Sequence, residues 1–263
     1  MRTIAIEQCK GYKMNLKYIT CSDPREGVKL DDLKQLTQIS PKVEIGMQSH
    51  PSTMTRGMDR HAWFNKFMEW AEQQTSPVNI AMHVNYQWCD AMCSGKLPTE
   101  IARWMHLRNK NTGAPLIKRW QLNIGDSTKN FNADEVAKLI EAFPENNFIL
   151  PYNAKVADKI KQLYKTQATF ALLYDSSYGY GISPEKWDAP VYTDVPMGYA
   201  GGLSQANIAG HLGKISKVLP PHYTTWIDAE GQLMKPNTRT WDMERVFGYV
   251  KNALVWETQQ KTK

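Results

Sequence analysis

Eight short β-prone runs recur along this chain, each followed by a helical or polar stretch, and that alternation leaves few folds open. The runs lie at 16–20, 43–47, 80–84, 120–124, 147–150, 170–174, 197–200 and 224–227. Helical patterns follow at 30–38, 59–74, 99–107, 133–143, 156–164, 205–218 and 243–256. Strands that alternate with helices imply parallel strands joined by right-handed crossovers. Eight such units within 263 residues match one closed (β/α)8 TIM barrel. No G-x-G-x-x-G turn follows the first run, as an open dinucleotide-binding sheet would carry. The expectation is a single barrel domain over 14–263, preceded by a 13-residue N-terminal extension. Residues 176–196, rich in Gly, Pro and Tyr, predict a shortened or irregular sixth helix. Trp63, Phe67 and Trp70 share helical spacing and are expected to pack the core.

Composition narrows the partners. The formal charge of +6 favours an anionic small molecule, such as a phosphorylated sugar. Lysine and arginine are spread along the chain without the clustering of a nucleic-acid groove, so no nucleic-acid partner is expected. No apolar run reaches the roughly 18 residues of a membrane span, and the basic N-terminus lacks the apolar core of a secretory signal. Four irregularly spaced cysteines do not form a disulfide framework. The expected setting is a reducing cytoplasm, with the protein a monomer or homodimer. Cys89 and Cys93 would share one face of any helix there.

Active sites of such barrels sit at the C-terminal ends of the strands. Those ends carry Thr20, Cys21 and Asp23; Gln48 and His50; His83 and Asn85; Asn123; Asn153; Asp175; Gly201 and Gly202; and Asp228 and Glu230. Asp175 directly follows the apolar run 171–174, a setting that suits a general acid, although an aspartate there also suits a turn cap through Ser176 or Ser177. Cys21 as a thiolate could act as a base, or it could be structural. Gly201 and Gly202 let a ligand approach the backbone, and Ser204 is a suitable N-cap whose helix turn offers N–H groups to an anion. The downstream strand, acid and Gly231 repeat that pattern. The histidines and carboxylates lack chelating spacing, so neither a metal nor an organic cofactor is expected. His61, His106, His211 and His222 are expected to be solvated.

The last third resembles phosphoribosylanthranilate isomerase, the barrel enzyme of tryptophan biosynthesis. Leu172-Leu173-Tyr174-Asp175 with Gly179-Tyr180-Gly181 looks like that family's leucine-rich strand, aspartate and glycine loop. Ala200-Gly201-Gly202-Leu203-Ser204-Gln205-Ala206-Asn207-Ile208 is similar to its A-G-G-L-N-P-E-N-V, and Ile227-Asp228-Ala229-Glu230-Gly231 stands where it has V-D-V-S-S-G-V-E. Residues 17–23 are similar to its K-I-C-G-I-T, and 45–56 to its V-G-F-x-F…S-P-R. The resemblance implies a cofactor-free Amadori rearrangement. Asp175 would be the general acid, Cys21 the general base, and Arg56 the holder of the substrate carboxylate. Gly201, Gly202, Ser204 and Gly231 would hold phosphate, and His50, His83, Asn123, Asn153, Asp228 and Glu230 would line the substrate. Cys21 lies two positions further from Lys17 than in the family, and Glu230 replaces a serine, placing a carboxylate where a phosphate dianion would be repelled.

Two other readings come from the residues themselves. Glu230 with Asp228, His50 and His83 could serve a non-phosphorylated sugar or acid, with or without a divalent ion. A barrel that has lost catalysis could act as a binding protein.

Overall fold

Residues 14–125 and 128–261 of the computed structural model are described; the expected extension over 1–13 lies outside them. The strands are β1 (Asn15–Ser22), β2 (Val43–Ser49), β3 (Asn79–Val84), β4 (Arg119–Leu122), β5 (Asn147–Tyr152), β6 (Ala171–Asp175), β7 (Met197–Ala200) and β8 (Thr224–Ala229). They close in chain order into one parallel barrel, with β8 returning to β1 through Thr20 opposite Asp228. The fold is a (β/α)8 TIM barrel.

The outer ring holds α1 (Leu30–Gln38), α2 (Asp59–Glu72), α3 (Tyr86–Cys93), α4 (Thr99–Met105), α5 (Ala133–Ala142), α6 (Ala157–Lys165), α7 (Ile208–Val218) and α8 (Met243–Lys261). Two of them, α3 and α4, share the β3–β4 crossover, whereas no helix joins β6 to β7. The Gly, Pro and Tyr content of that connection opposes helix, as its composition predicts. Asn132 starts α5 by accepting the Asp134 and Glu135 N–H groups at 3.0 and 3.2 Å, and those two acids also suit the positive end of the helix.

Side chains along a strand alternate between the two faces of the sheet. In β1, Leu16, Ile19 and Cys21 join the large apolar layer between strands and helices. Tyr18, Thr20 and Ser22 point into the barrel. The lower interior is sealed by Ile149, Leu173 and Trp226, packed with Tyr18, Ala171 and Ala200. The Arg119 guanidinium lies between two rings there, 4.5 Å from that of Tyr18 and 4.3 Å from that of Trp226. Glu44 pairs with Arg119 and accepts from Thr20 Oγ1 at 2.7 Å. Two glycines make room for this filling. A Cβ at Gly198 would stand 2.1 Å from the Trp226 indole, and one at Gly46 2.1 Å from Ser22 Oγ.

Two local expectations change, and a third, that Cys89 and Cys93 share one helix face, holds. Ser204 does not cap α7: the helix begins at Ile208 after Asn207, and the Ser204 N–H is taken by Asn207 Oδ1 at 2.8 Å. His61 and His211 are buried, not solvated: His61 lies against Asn65 of α2 and Arg103 of α4, and His211 against Trp187. His211 Nδ1 accepts from Trp187 Nε1 at 3.1 Å. Cys89 and Cys93 are buried on one face of α3 with their sulfurs 4.0 Å apart.

Candidate active site

At the C-terminal mouth the inward positions of β1, β2, β3, β4 and β8 converge on one polar network. Asp228, on β8, accepts from Ser22 Oγ at 2.6 Å, and its other oxygen lies 3.6 Å from His83 Nε2. His83 Nδ1 lies 3.3 Å from Gln48 Nε2, which also donates to Glu230 at 2.8 Å. Three more carboxamides continue the chain. Asn85 donates to Gln48 Oε1 at 2.7 Å, Asn123 to Asn85 Oδ1 at 2.8 Å, and Gln121 to Asn123 Oδ1 at 2.7 Å. The spacing of two residues along each strand puts these pairs on the same inner face.

Burial sets the proton affinities here. Asp228 is nearly inaccessible, and desolvation raises it to about 7; the Ser22 hydrogen bond opposes the shift, and the Glu44 and Asp175 charges add to it. Glu230 is also raised to about 7, by desolvation in the concave mouth and by the Asp23 and Asp228 charges. Water still reaches Glu230, so Asp228 is the better insulated of the two. Desolvation lowers His83 to about 4, which makes it a neutral imidazole at physiological pH.

One flank of the mouth is cationic and already paired. Asp23, buried with φ of 63°, receives Arg25 Nη2 at 2.6 Å and also pairs with Arg60 from the first turn of α2. Burial and Arg60 lower His50, whose ring packs 4.5 Å from that of Tyr86. Arg56, expected to grip a carboxylate, is solvent-exposed on the β2–α2 connection, where its charge helps to lower His61 of α2. Arg60 occupies the position by the mouth instead. Only its pairing with Asp23 identifies it, and no strand-end pattern would.

Asp175 reaches the mouth but holds its own loop. Its Oδ1 accepts from the Ser177 N–H at 2.9 Å and Ser177 Oγ at 2.7 Å, and its Oδ2 from the Gly179 N–H at 2.7 Å. Asp175→Asn should therefore cost about 1–3 kcal/mol of stability, because the amide lacks the charge and one acceptor oxygen. Thermal melting beside turnover checks this: a lower Tm with activity retained is expected. An unchanged Tm with activity lost would make Asp175 the general acid.

Two further expectations meet the chain itself. Cys21 faces Tyr249 of α8 on the outer side of the sheet, and complete burial beside the Asp228 and Glu44 charges raises its thiol well above the ordinary value. It is therefore turned away from the mouth, because one residue along a strand reverses the side chain. At Gly201 and Gly202, with φ of 126° and 60°, the space next to the backbone is filled by the connection after β6. A Cβ on Gly202 would stand 2.6 Å from the Ser183 N and 2.7 Å from the Gly181 O. The Gly202 carbonyl accepts from Asn207 Nδ2 at 2.8 Å. Gly231 opens a single 3-10 turn, and Asn153 Oδ1 accepts from the Lys155 N–H at 3.1 Å, capping the turn after β5.

Among the described residues, no group of three or more His, Cys, Asp and Glu side chains is gathered as a metal cage, and no helix is long and apolar enough to cross a membrane. No protein-family profile and no curated protein sequence matches the chain. Solved structures do. Monomers of the dimeric phosphoribosylanthranilate isomerase from Thermotoga maritima superpose with a TM-score of 0.53 at 10% identity, over 91% of this chain and 99% of that one. The glycoside hydrolase family 30 subfamily 8 xylanase Xyn30A from Clostridium acetobutylicum gives 0.51 at 12% identity, over 95% of this chain and 73% of that one. At such identity the likeness is one of fold: this chain is built as a TIM barrel, similar to barrels that are enzymes.

Proposed function

We propose that the barrel is an enzyme that moves protons on a small polar substrate through Asp228 and Glu230. The supporting observation is the pair itself: Asp228 on β8 beside Ser22 and His83, and Glu230 one residue past the strand end on Gln48, both raised to about 7. Groups that hold protons near the working pH suit acid–base chemistry, one giving a proton while the other takes one. The reaction class this fits is isomerisation of an aldose to a ketose. The ionised carboxylate removes the proton from the carbon beside the carbonyl while the protonated carboxyl gives its proton to the carbonyl oxygen. The enediol then collapses as the first carboxyl returns a proton to the former carbonyl carbon and the second takes one from the neighbouring hydroxyl. Ser22 Oγ, donating at 2.6 Å, orients the Asp228 carboxyl, and neutral His83 lies beside it at 3.6 Å.

A second reading is the Amadori rearrangement of phosphoribosylanthranilate, with Asp175 as the acid. It draws on the fold likeness and on Asp175 at the mouth. Turnover assays with phosphoribosylanthranilate and with a panel of free aldoses and ketoses separate the two. Activity on phosphoribosylanthranilate that survives D228N and disappears in D175N would establish the second. Activity on a free sugar that disappears in D228N would establish the first.

The pair also fixes a pH response. One carboxyl acting as base and the other as acid, both titrating near neutrality, give a bell-shaped kcat/KM profile centred near pH 7. Stability carries a matching sign. Asp228 binds its proton more tightly folded, at about 7, than unfolded, near 3.8, so its contribution is present at acid pH and is lost as pH rises through 7. His83, depressed from 6.5 to about 4, contributes stability that is lost as pH falls through that window. D228N removes the first contribution and leaves the second. Its Tm should therefore rise relative to wild type between pH 5 and 7, and a constant difference between the two proteins would contradict the assignment.

A further inference from the structure

The mouth carries aromatic side chains that the acid–base chemistry does not use. Among the described residues, seven large hydrophobic side chains are exposed: Met58, Tyr86, Tyr178, Tyr180, Ile182, Val191 and Val255. Met58, Tyr86, Tyr178, Tyr180 and Ile182 stand on the connections that follow β2, β3 and β6, at the barrel's C-terminal end. Exposed apolar side chains scattered singly need no explanation, but five of the seven gathered at one end of the barrel mark a binding face.

Their placement has a pattern. In a closed ring of eight strands, β6 lies three strands from β3 and four from β2, on the far side of the barrel. Tyr86, 63% exposed, packs against His50 on the β2–β3 side. Tyr178 and Tyr180, 44% and 81% exposed, stand on the β6 side. Tyr86 and Tyr178 both hold left-handed backbone, with φ of 50° and 55°, a conformation that side-chain-bearing residues avoid. The surrounding structure maintains both against that preference, which is common where a ring must be presented at a site. Tyr178 is further positioned by the Lys155 ammonium, 4.5 Å from its ring centre.

Between these walls the floor is lined by carboxamides, the last of which, Gln48, donates to Glu230. Gln48, Asn85, Gln121 and Asn123 offer planar amides, each with donors and an acceptor. The arginines beside them, Arg25 and Arg60, are held by Asp23. The Gly201–Gly202 corner is filled by Gly181–Ser183. Amides that match hydroxyl groups, between tyrosine rings that match the apolar face of a pyranose or furanose ring, form the chemistry that recognises a sugar.

From this juxtaposition, aromatic walls facing each other across a carboxamide floor, we infer that the mouth binds a neutral saccharide of two or more rings. One ring packs on Tyr86 and another on Tyr180. Saccharide binding here depends on the acid–base reading only for the chemistry after binding, and it names the substrate class of that same mouth.

Calorimetric titration of the full chain tests it, with neutral mono- to tetrasaccharides of pentoses and hexoses as probes and ribose 5-phosphate and anthranilate as competitors for the assignment. A neutral di- or oligosaccharide should bind at least ten-fold more tightly than any monosaccharide or either competitor. Y86A and Y180A should each weaken it about ten-fold at unchanged Tm, and Tyr180→Phe should restore most of that loss. Tighter binding of either competitor, no binding of any neutral saccharide, or wild-type affinity in both alanine variants would overturn the inference. Saccharide binding without turnover of any sugar would uphold it while ending the acid–base reading, and turnover of a non-saccharide by Asp228 would do the reverse.

Discussion

Asp228→Asn is expected to lower kcat/KM by about 10²–10⁴-fold while leaving the fold in place. The size follows from losing a positioned proton donor and acceptor. The preserved fold follows from geometry: an amide oxygen still accepts from Ser22 Oγ, and the amide nitrogen faces a neutral His83 Nε2. Glu230→Gln is the companion variant, because its amide oxygen still accepts from Gln48. If the two carboxyls share one proton, the double variant should be little worse than the poorer single, since groups that act as a unit are not additive. Steady-state kinetics beside circular dichroism and thermal melting decide the matter. A D228N protein with wild-type kcat/KM on the best sugar substrate would end the assignment of the pair.

The largest effect on stability is expected beneath the site. Arg119→Met leaves the Glu44 carboxylate 1% exposed and without its cation, and breaking a buried pair from one side costs about 3–5 kcal/mol. For a domain of this size that corresponds to roughly 6–20 °C in Tm. Glu44→Leu combined with Arg119→Met should recover most of the loss, because two apolar side chains of similar volume no longer carry a buried charge. Tyr18 and Trp226 would still flank the methionine. Chemical denaturation of the single and double variants measures the coupling. If the double variant is as unstable as the sum of its parts, the pair is not the source of the cost.

The barrel was legible because alternation by itself implies parallel crossovers, and all eight β-prone runs are strands of the closed ring. The missing helix between β6 and β7 was legible from Gly and Pro. The extra helix α3 was not, because Tyr86–Cys93 lacks a cap and begins with left-handed backbone at Tyr86. Of the site, Gln48, His83, Asn85, Asn123, Asp228 and Glu230 were legible as polar ends of strands, and the structure brings them together. Ser22 and Gln121 follow from the same rule taken one inward step further down the strand. The face of Cys21 was not legible, since a strand end of uncertain register does not say which side a residue takes. The glycine corner was not legible either. Its sequence is compatible with an anion or with a neighbouring loop, and only the path of 181–183 chooses between them.

The four carboxamides at the mouth share one polarity. Gln121, Asn123, Asn85 and Gln48 each turn the N–H end toward the next, and the last turns it to Glu230. Aligned head to tail, their dipoles reinforce one another and favour negative charge at the terminus. A hydroxyl that inserts at any link interrupts that alignment and takes part of the stabilisation away from Glu230. Occupancy and basicity are thereby coupled: a bound ligand is expected to raise the proton affinity of Glu230, and proton uptake on binding, seen as a buffer-dependent heat, measures the link.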